Sequence, residues 1–149
     1  MVCAQVVAVD SRLLEALATV ESGGNDRAVG RAGEVSRYQI KPDVWRRAVK
    51  AKGWKARDAE AAKRVANAIL DERINRFKQA TGREPTAREV YALWNAPGVL
   101  AQQGWRYERL PKVVRFRCER FATEISRRES RCAHPAGKTA NQTGRTNRP

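Results

Sequence analysis

One histidine and three cysteines are all the imidazole and thiol chemistry that the 149 residues contain. Cys3, Cys118 and Cys132 form no CxxC pair and His134 stands by itself, whereas structural zinc takes four such ligands at close spacing. No metal and no cofactor is expected. The odd cysteine count excludes a complete disulfide framework. A Cys118–Cys132 bridge stays open in an oxidising compartment, the other reading of Cys118 being a small buried hydrophobe. Long apolar runs are missing as well, and nothing approaches the roughly 20 residues of a membrane span. The apolar stretch 1–9 has no Lys or Arg before it and is too short for a complete secretory signal.

Acidic residues are scarce: 16 Asp and Glu face 30 Lys and Arg, a net charge of +14. Such a balance calls for an anionic partner, whether nucleic acid, an acidic membrane surface or an anionic polymer such as a bacterial cell wall. The basic residues are spread out, with no dense run and no interleaved aromatics, which argues for a diffusely basic surface and against a nucleic-acid groove. No nucleic acid is expected, and a monomer is. Charge by itself leaves the partner open.

What is present suffices for one domain with a core, 42% of residues being hydrophobic. Asp10 or Ser11 caps a first helix carrying Leu13, Leu14, Leu17 and Val20, which the run Ser22-Gly23-Gly24-Asn25 must end. From 25 to 41 no helical period appears, so a long loop is predicted, with a small hairpin at 35–40; loops of that length in compact domains are usually functional. Pro42 opens a helix with Val44, Trp45, Ala48 and Val49 that breaks near Gly53. Asp58 caps a long one that runs to Gly82, and Thr86 with Glu89 has capping-box spacing. Pro97-Gly98 ends that helix, and Pro111 opens the last, with Val114, Cys118, Phe121 and Ile125. After Arg127 the period vanishes. The expected division is therefore 1–9 as an N-terminal segment, 10–127 as the domain and 128–149 as a disordered basic tail.

Glu21 sits where an amphipathic helix ends, before a glycine pair. The partial negative charge of a helix C-terminus, with any desolvation, raises a carboxyl's pKa and suits it to act as a general acid near neutrality. An exposed glutamate at a frayed helix end is the plainer reading of that residue alone. Three motifs change the weighing: Glu21-Ser22-Gly23, Gly33-Glu34-Val35-Ser36-Arg37-Tyr38-Gln39-Ile40-Lys41-Pro42, and Ala92-Leu93-Trp94-Asn95-Ala96-Pro97-Gly98. In order and spacing they resemble the soluble lytic transglycosylase (SLT domain) family of the lysozyme-like superfamily, from about residue 13 to residue 125. That family shows Glu-Ser-Gly, then Gly-Leu-Met-Gln-Leu-x-Pro, then Ala-x-Tyr-Asn-Ala-Gly. Here its motif glycine is Ser36, its leucine Arg37 and its methionine Tyr38, while Trp94 and Pro97 replace the tyrosine and final glycine. The tyrosine that members usually show entering the last helix is absent from Leu110-Pro111-Lys112. These departures bear on the sugar subsites more than on the reaction class.

The resemblance implies a mainly α, lysozyme-like α+β fold in which a helix-ending glutamate faces a glycan cleft. It implies a lytic transglycosylase, with peptidoglycan strands as substrate and Glu21 as the single acid/base. Glu21 would protonate the bond between N-acetylmuramic acid and N-acetylglucosamine and then take the proton of the muramic 6-hydroxyl, closing a 1,6-anhydro ring. Gln39 and Asn95 are the expected binders of sugar amides and hydroxyls. Ser22 either bonds at the reacting centre or satisfies a helix-end carbonyl; Tyr38 either stacks on a sugar or packs in the loop. Trp94, beside Asn95, is the tryptophan expected in the cleft, Trp45 falling on a core stripe. Two rivals stand: a lysozyme-like hydrolase whose water is activated by Glu34 or Asp26, and a cell-wall binding module without turnover. The substrate places the protein in the periplasm or outside the cell, export requiring either a longer start or another route.

Overall fold

The computed structural model describes residues 10–49, 55 and 57–133. Stretch 1–9, Cys3, Trp54, His134 and the tail beyond 133 lie outside the described residues, as does the side chain of Cys132. The described chain is mainly helical. It runs α1 (Ser11–Ser22), a loop, α2 (Pro42–Ala48), α3 (Ala59–Thr81), α4 (Ala87–Asn95), α5 (Pro97–Gln102), a 3-10 turn at Tyr107–Arg109 and α6 (Lys112–Ala133).

The helix starts follow local chemistry. Asp10 accepts from the Arg12 amide, and Asp58 accepts from the Ala61 amide. Each satisfies a donor that the first turn leaves unpaired. At α4 the capping box is complete: the Thr86 hydroxyl accepts from the Glu89 amide and the Glu89 carboxylate accepts from the Thr86 amide at 2.9 Å. Pro97 departs from expectation. It ends nothing, because α4 has already stopped at Asn95 and proline becomes the first residue of α5, a position where its missing N–H costs nothing.

Helix α4 is the centre of the molecule. Its residues from Glu89 to Trp94 are all buried, the mark of a helix enclosed on every side. It packs on α6 and α3, and α1 in turn packs on α6. Phe77 of α3 and Phe121 of α6 are fully buried, Phe77 meeting Trp105 edge-on at 5.7 Å. Trp45 of α2 joins the core, as its stripe predicts.

The hairpin expected at 35–40 is reduced to two isolated antiparallel bridges that share Val35, one to Val29 and one to Ile40. The loop is anchored instead by burial of Ser36, Tyr38 and Ile40. The last helix closes one alternative and overturns one expectation. Cys118 and Cys132 lie in one continuous helix, about 21 Å apart at 1.5 Å per residue, so no bridge can join them; Cys118 is a fully buried free thiol. Helix α6 also continues past Arg127 to Ala133. Apolar periodicity does end there, but Glu124 pairs with Arg127 and Arg128, and Arg128 reaches Thr19 of α1 at 2.9 Å. Such pairs prolong a helix without a core face.

The α4 start generates a stability prediction. Glu89 is buried, yet bonds from Arg83 (2.8 and 2.5 Å) and Thr86 outweigh the burial that pushes its pKa up, and hold it below the usual 4.5. A lowered folded value means stability that is full above pH 4.5 and is lost as the pH falls through that folded value. Glu89→Gln should cost about 2 kcal/mol near neutrality, measured by urea unfolding, and should flatten the acid limb of the stability profile.

Candidate active site

The end of α1 sets the first wall. Gly23 and Gly24 take positive φ of 66° and 83°, and their amides return to the Thr19 and Ala18 carbonyls at 3.0 Å. That turn ends the helix within two residues of Glu21, which is left half-buried and lines a cleft of about 400 Å³. Burial is the main cause of a raised Glu21 pKa, and the charge of Glu34 adds to it; the Tyr91 hydroxyl and the charges of Arg117 and Arg120 oppose it. The carboxyl is thus held above its ordinary range and kept from drifting higher.

Tyr91 is the partner that sequence reasoning misses. Its hydroxyl donates to Glu21 Oε1 at 2.8 Å across 70 residues of chain. The ring is buried and lies against Phe121 at 5.4 Å, so α4 and α6 together fix the phenol. Burial and the neighbouring Glu21 carboxylate push the phenol's pKa well above its usual range, leaving it a permanent donor. Tyr91 thus brings a phenol to the glutamate from α4.

The loop supplies the second wall through Gly30, Glu34 and Gln39. A Cβ on Gly30 would collide with the Glu34 carboxylate and come within 2.7 Å of Gln39 Oε1, so the missing side chain is what lets both reach the cleft. Ser36, standing where the family motif has glycine, keeps glycine's left-handed backbone at φ 69°, a conformation that costs an L-residue about 1–2 kcal/mol. Its carbonyl accepts from the amide and side chain of Gln39 at 3.1 and 3.0 Å, and its hydroxyl from the Tyr38 amide at 3.3 Å.

The third wall is the end of α4. Trp94 and Asn95 line the cleft with Arg73 and Pro97. Arg73 Nη1 donates to the Leu93 and Trp94 carbonyls at 2.9 and 2.8 Å, its guanidinium 5.7 Å from the Trp94 ring. It satisfies orphan acceptors at the helix end and so fixes where Asn95 emerges. The signal for Arg73 was present in the sequence: a charge at the position where the stripe Ile69, Leu70, Phe77 passes inward.

Of the six residues singled out in the sequence, Glu21, Gln39, Trp94 and Asn95 meet at this cleft. Two do not. Tyr38 is 1% exposed and packs in the core, too deep to stack on a sugar. Ser22 does not line the cleft; its hydroxyl donates to the Arg37 carbonyl at 2.8 Å and accepts from the Asn25 amide at 3.1 Å, tying both ends of the loop to α1. The two acidic loop residues also separate. Glu34 faces the cleft, whereas Asp26 is held by Arg37 at 2.6 and 3.1 Å.

A half-buried carboxyl of raised pKa at a helix end, in a cleft lined by hydrogen-bonding groups and one indole, fits a mainly helical, lysozyme-like domain. The transglycosylase SLT domain family model matches residues 3–96, and the chain belongs to that family. No curated protein and no solved structure matches it. The matched stretch holds Glu21, Tyr91, Trp94 and Asn95, while Arg117 comes from α6 beyond it.

Tyr91→Phe removes the donor that stabilises the Glu21 carboxylate. The Glu21 pKa should rise further, and the alkaline limb of the pH–rate profile should move to higher pH. Rate should fall about tenfold as the carboxyl loses its fixed rotamer. An unmoved alkaline limb would show that the phenol is only a packing group.

Proposed function

We propose that this domain is a peptidoglycan lytic transglycosylase in which Glu21 is the only acid/base. The observation that carries the reading is a half-buried carboxyl of raised pKa, hydrogen-bonded by Tyr91 and open to a groove that Gln39, Trp94 and Asn95 line. A carboxyl whose pKa burial raises holds its proton more readily than a free one and can give it to the glycosidic oxygen as the bond to the muramic C1 breaks. The resulting carboxylate then accepts the proton of the muramic 6-hydroxyl while that oxygen bonds to C1. The proton count closes without water. A nucleophile in the same sugar ring has an effective molarity far above that of solvent, and the acetamido group of the sugar supports the cationic carbon where a second carboxylate usually would.

The side chains around the groove suit an amide-bearing sugar. Gln39 and Asn95 each offer donors and an acceptor, and Trp94 offers an apolar edge. Glycan polymer lies in the periplasm or outside the cell, and the basic surface favours anionic wall. One observation supports a second reading, a hydrolase: Glu34 lines the same cleft as Glu21 and acts on its pKa. Asp26, tied to Arg37, has no such access.

Digestion of purified peptidoglycan with mass spectrometry of the products tests the proposal. Transglycosylation releases fragments with 1,6-anhydromuramic ends, one water lighter than hydrolysis products. Glu21→Gln should lose about 10⁴-fold in rate, and should melt no lower than the wild type near neutrality. The sign follows from linkage: a raised folded pKa means that ionised Glu21 opposes folding above its usual 4.5, and an amide removes that charge. Reducing-end products that disappear in Glu34→Gln would establish the hydrolase.

A further inference from the structure

Helix α6 turns one face to the core and leaves the opposite face open to solvent. Cys118 and Phe121 are fully buried, and Val114 and Ile125 pack beside them. On the other side stand Val113, Phe116, Arg120, Arg127 and Arg131, whose helical spacing sets them along one stripe. All five are exposed, Val113 and Phe116 at 64% and 66%. Two of the three large hydrophobic side chains exposed among the described residues therefore lie together, within one turn of this helix.

The charge of the stripe has one sign. Helix α6 holds seven Lys and Arg against three Glu. Glu119 is held by Arg88 at 2.8 Å, and Glu124, its side chain 12% exposed, pairs with Arg127 and Arg128 at 3.2 and 2.8 Å. Glu129, four residues after Ile125, falls on the other side of the helix. Arg120 and Arg131 enter no salt bridge among the described residues.

These features select among anionic and apolar partners. A second copy of the chain would set like charges against one another along the stripe. A nucleic-acid duplex would take the arginines and leave Val113 and Phe116 without a role. An anionic bilayer uses both sets: guanidinium groups pair with lipid phosphates, and the phenyl and isopropyl groups enter the boundary between headgroups and acyl chains. Among the described residues no helix is long and apolar enough to cross a membrane, so α6 would lie along the surface. Arg117, which lines the cleft, directly follows Phe116, and attachment through this stripe keeps the cleft beside the membrane.

We infer that the outward face of α6 docks the protein on the surface of an anionic lipid bilayer. Val113 and Phe116 insert, while Arg120, Arg127 and Arg131 engage the phosphates. This docking is independent of the reaction proposed above.

Co-sedimentation of the full chain with phosphatidylglycerol-containing vesicles, against pure phosphatidylcholine vesicles, tests it. The wild type should bind the anionic vesicles and leave the neutral ones. Arg131→Gln should weaken binding about fivefold, and Phe116→Ser about tenfold. Added salt should shrink the arginine effect and spare the phenylalanine effect. Both side chains are on the surface, and melting temperatures equal to the wild type would show that the variants fold. Phe116→Trp should gain fluorescence quenching by brominated acyl chains beyond that of the wild type. Equal binding to neutral vesicles, or binding that Phe116→Ser leaves unchanged, would overturn the inference. So would weaker binding of the variants to DNA or to purified cell wall with unchanged vesicle binding, which would assign the face to that polymer. Cleavage of lipid-free peptidoglycan should be unaltered in Phe116→Ser and Arg131→Gln, and its loss would move the face from membrane to substrate. Failure of the wild type to cleave would count against the transglycosylase alone.

Discussion

The hydrogen bond from Tyr91 to Glu21 at 2.8 Å ties the core to the cleft. It works because α4 cannot move. Thr86, Glu89 and Arg83 fix one end of that helix, Arg73 holds the carbonyls of the other, and six consecutive buried residues lock the middle. Interiors packed at crystal density transmit position faithfully. A phenol on this helix therefore presents its proton to the end of α1 at a set point, and Asn95 leaves the same helix one turn further on. The donor to Glu21 and the cleft-lining Asn95 share a single rigid support.

The electrostatics of Glu21 follow from competing effects of different origin. Burial disfavours its charge and the Glu34 carboxylate adds to that, while Tyr91, Arg117 and Arg120 favour it. A carboxyl in bare apolar surroundings would hold its proton too tightly to serve afterwards as a base, and one in full contact with arginine would never hold it. Partial burial with one neutral donor and two flanking cations lies between those limits. Two of the many basic residues, Arg117 and Arg120, thus act locally on Glu21.

The loop shows how a motif survives substitution. Ser36 occupies a glycine position and keeps its left-handed backbone, and Gln39, also at positive φ, still reaches the cleft. Tyr38, standing where the family has methionine, is buried in the core. Backbone geometry is retained because hydrogen bonds within the loop determine it: the Ser36 carbonyl with Gln39, and the Ser22 hydroxyl with Arg37 and Asn25.

The sequence by itself determined the helices and the place of Glu21 at a helix end. Apolar residues at helical spacing, Asp10, Asp58 and Thr86 as caps, and Gly23 and Gly82 as stops are local signals, each resolved within a few residues of backbone. Glu21, Gln39 and Asn95 were legible because motif spacing carries them. Tertiary structure alone decided the rest. Tyr91 reads as one more core aromatic until α1 is packed against the same helices. Tyr38 and Ser22 have the right chemistry for a sugar site and are directed elsewhere, one by the apolar volume beneath the loop and one by the carbonyl of Arg37. Glu34 and Asp26 look equivalent in the chain, and only the approach of Arg37 to Asp26 separates them. Helix α6 outlasts its apolar period because Glu124 and Thr19 meet arginines there. In each case the deciding partner lies outside the local window, where no residue-by-residue preference can place it.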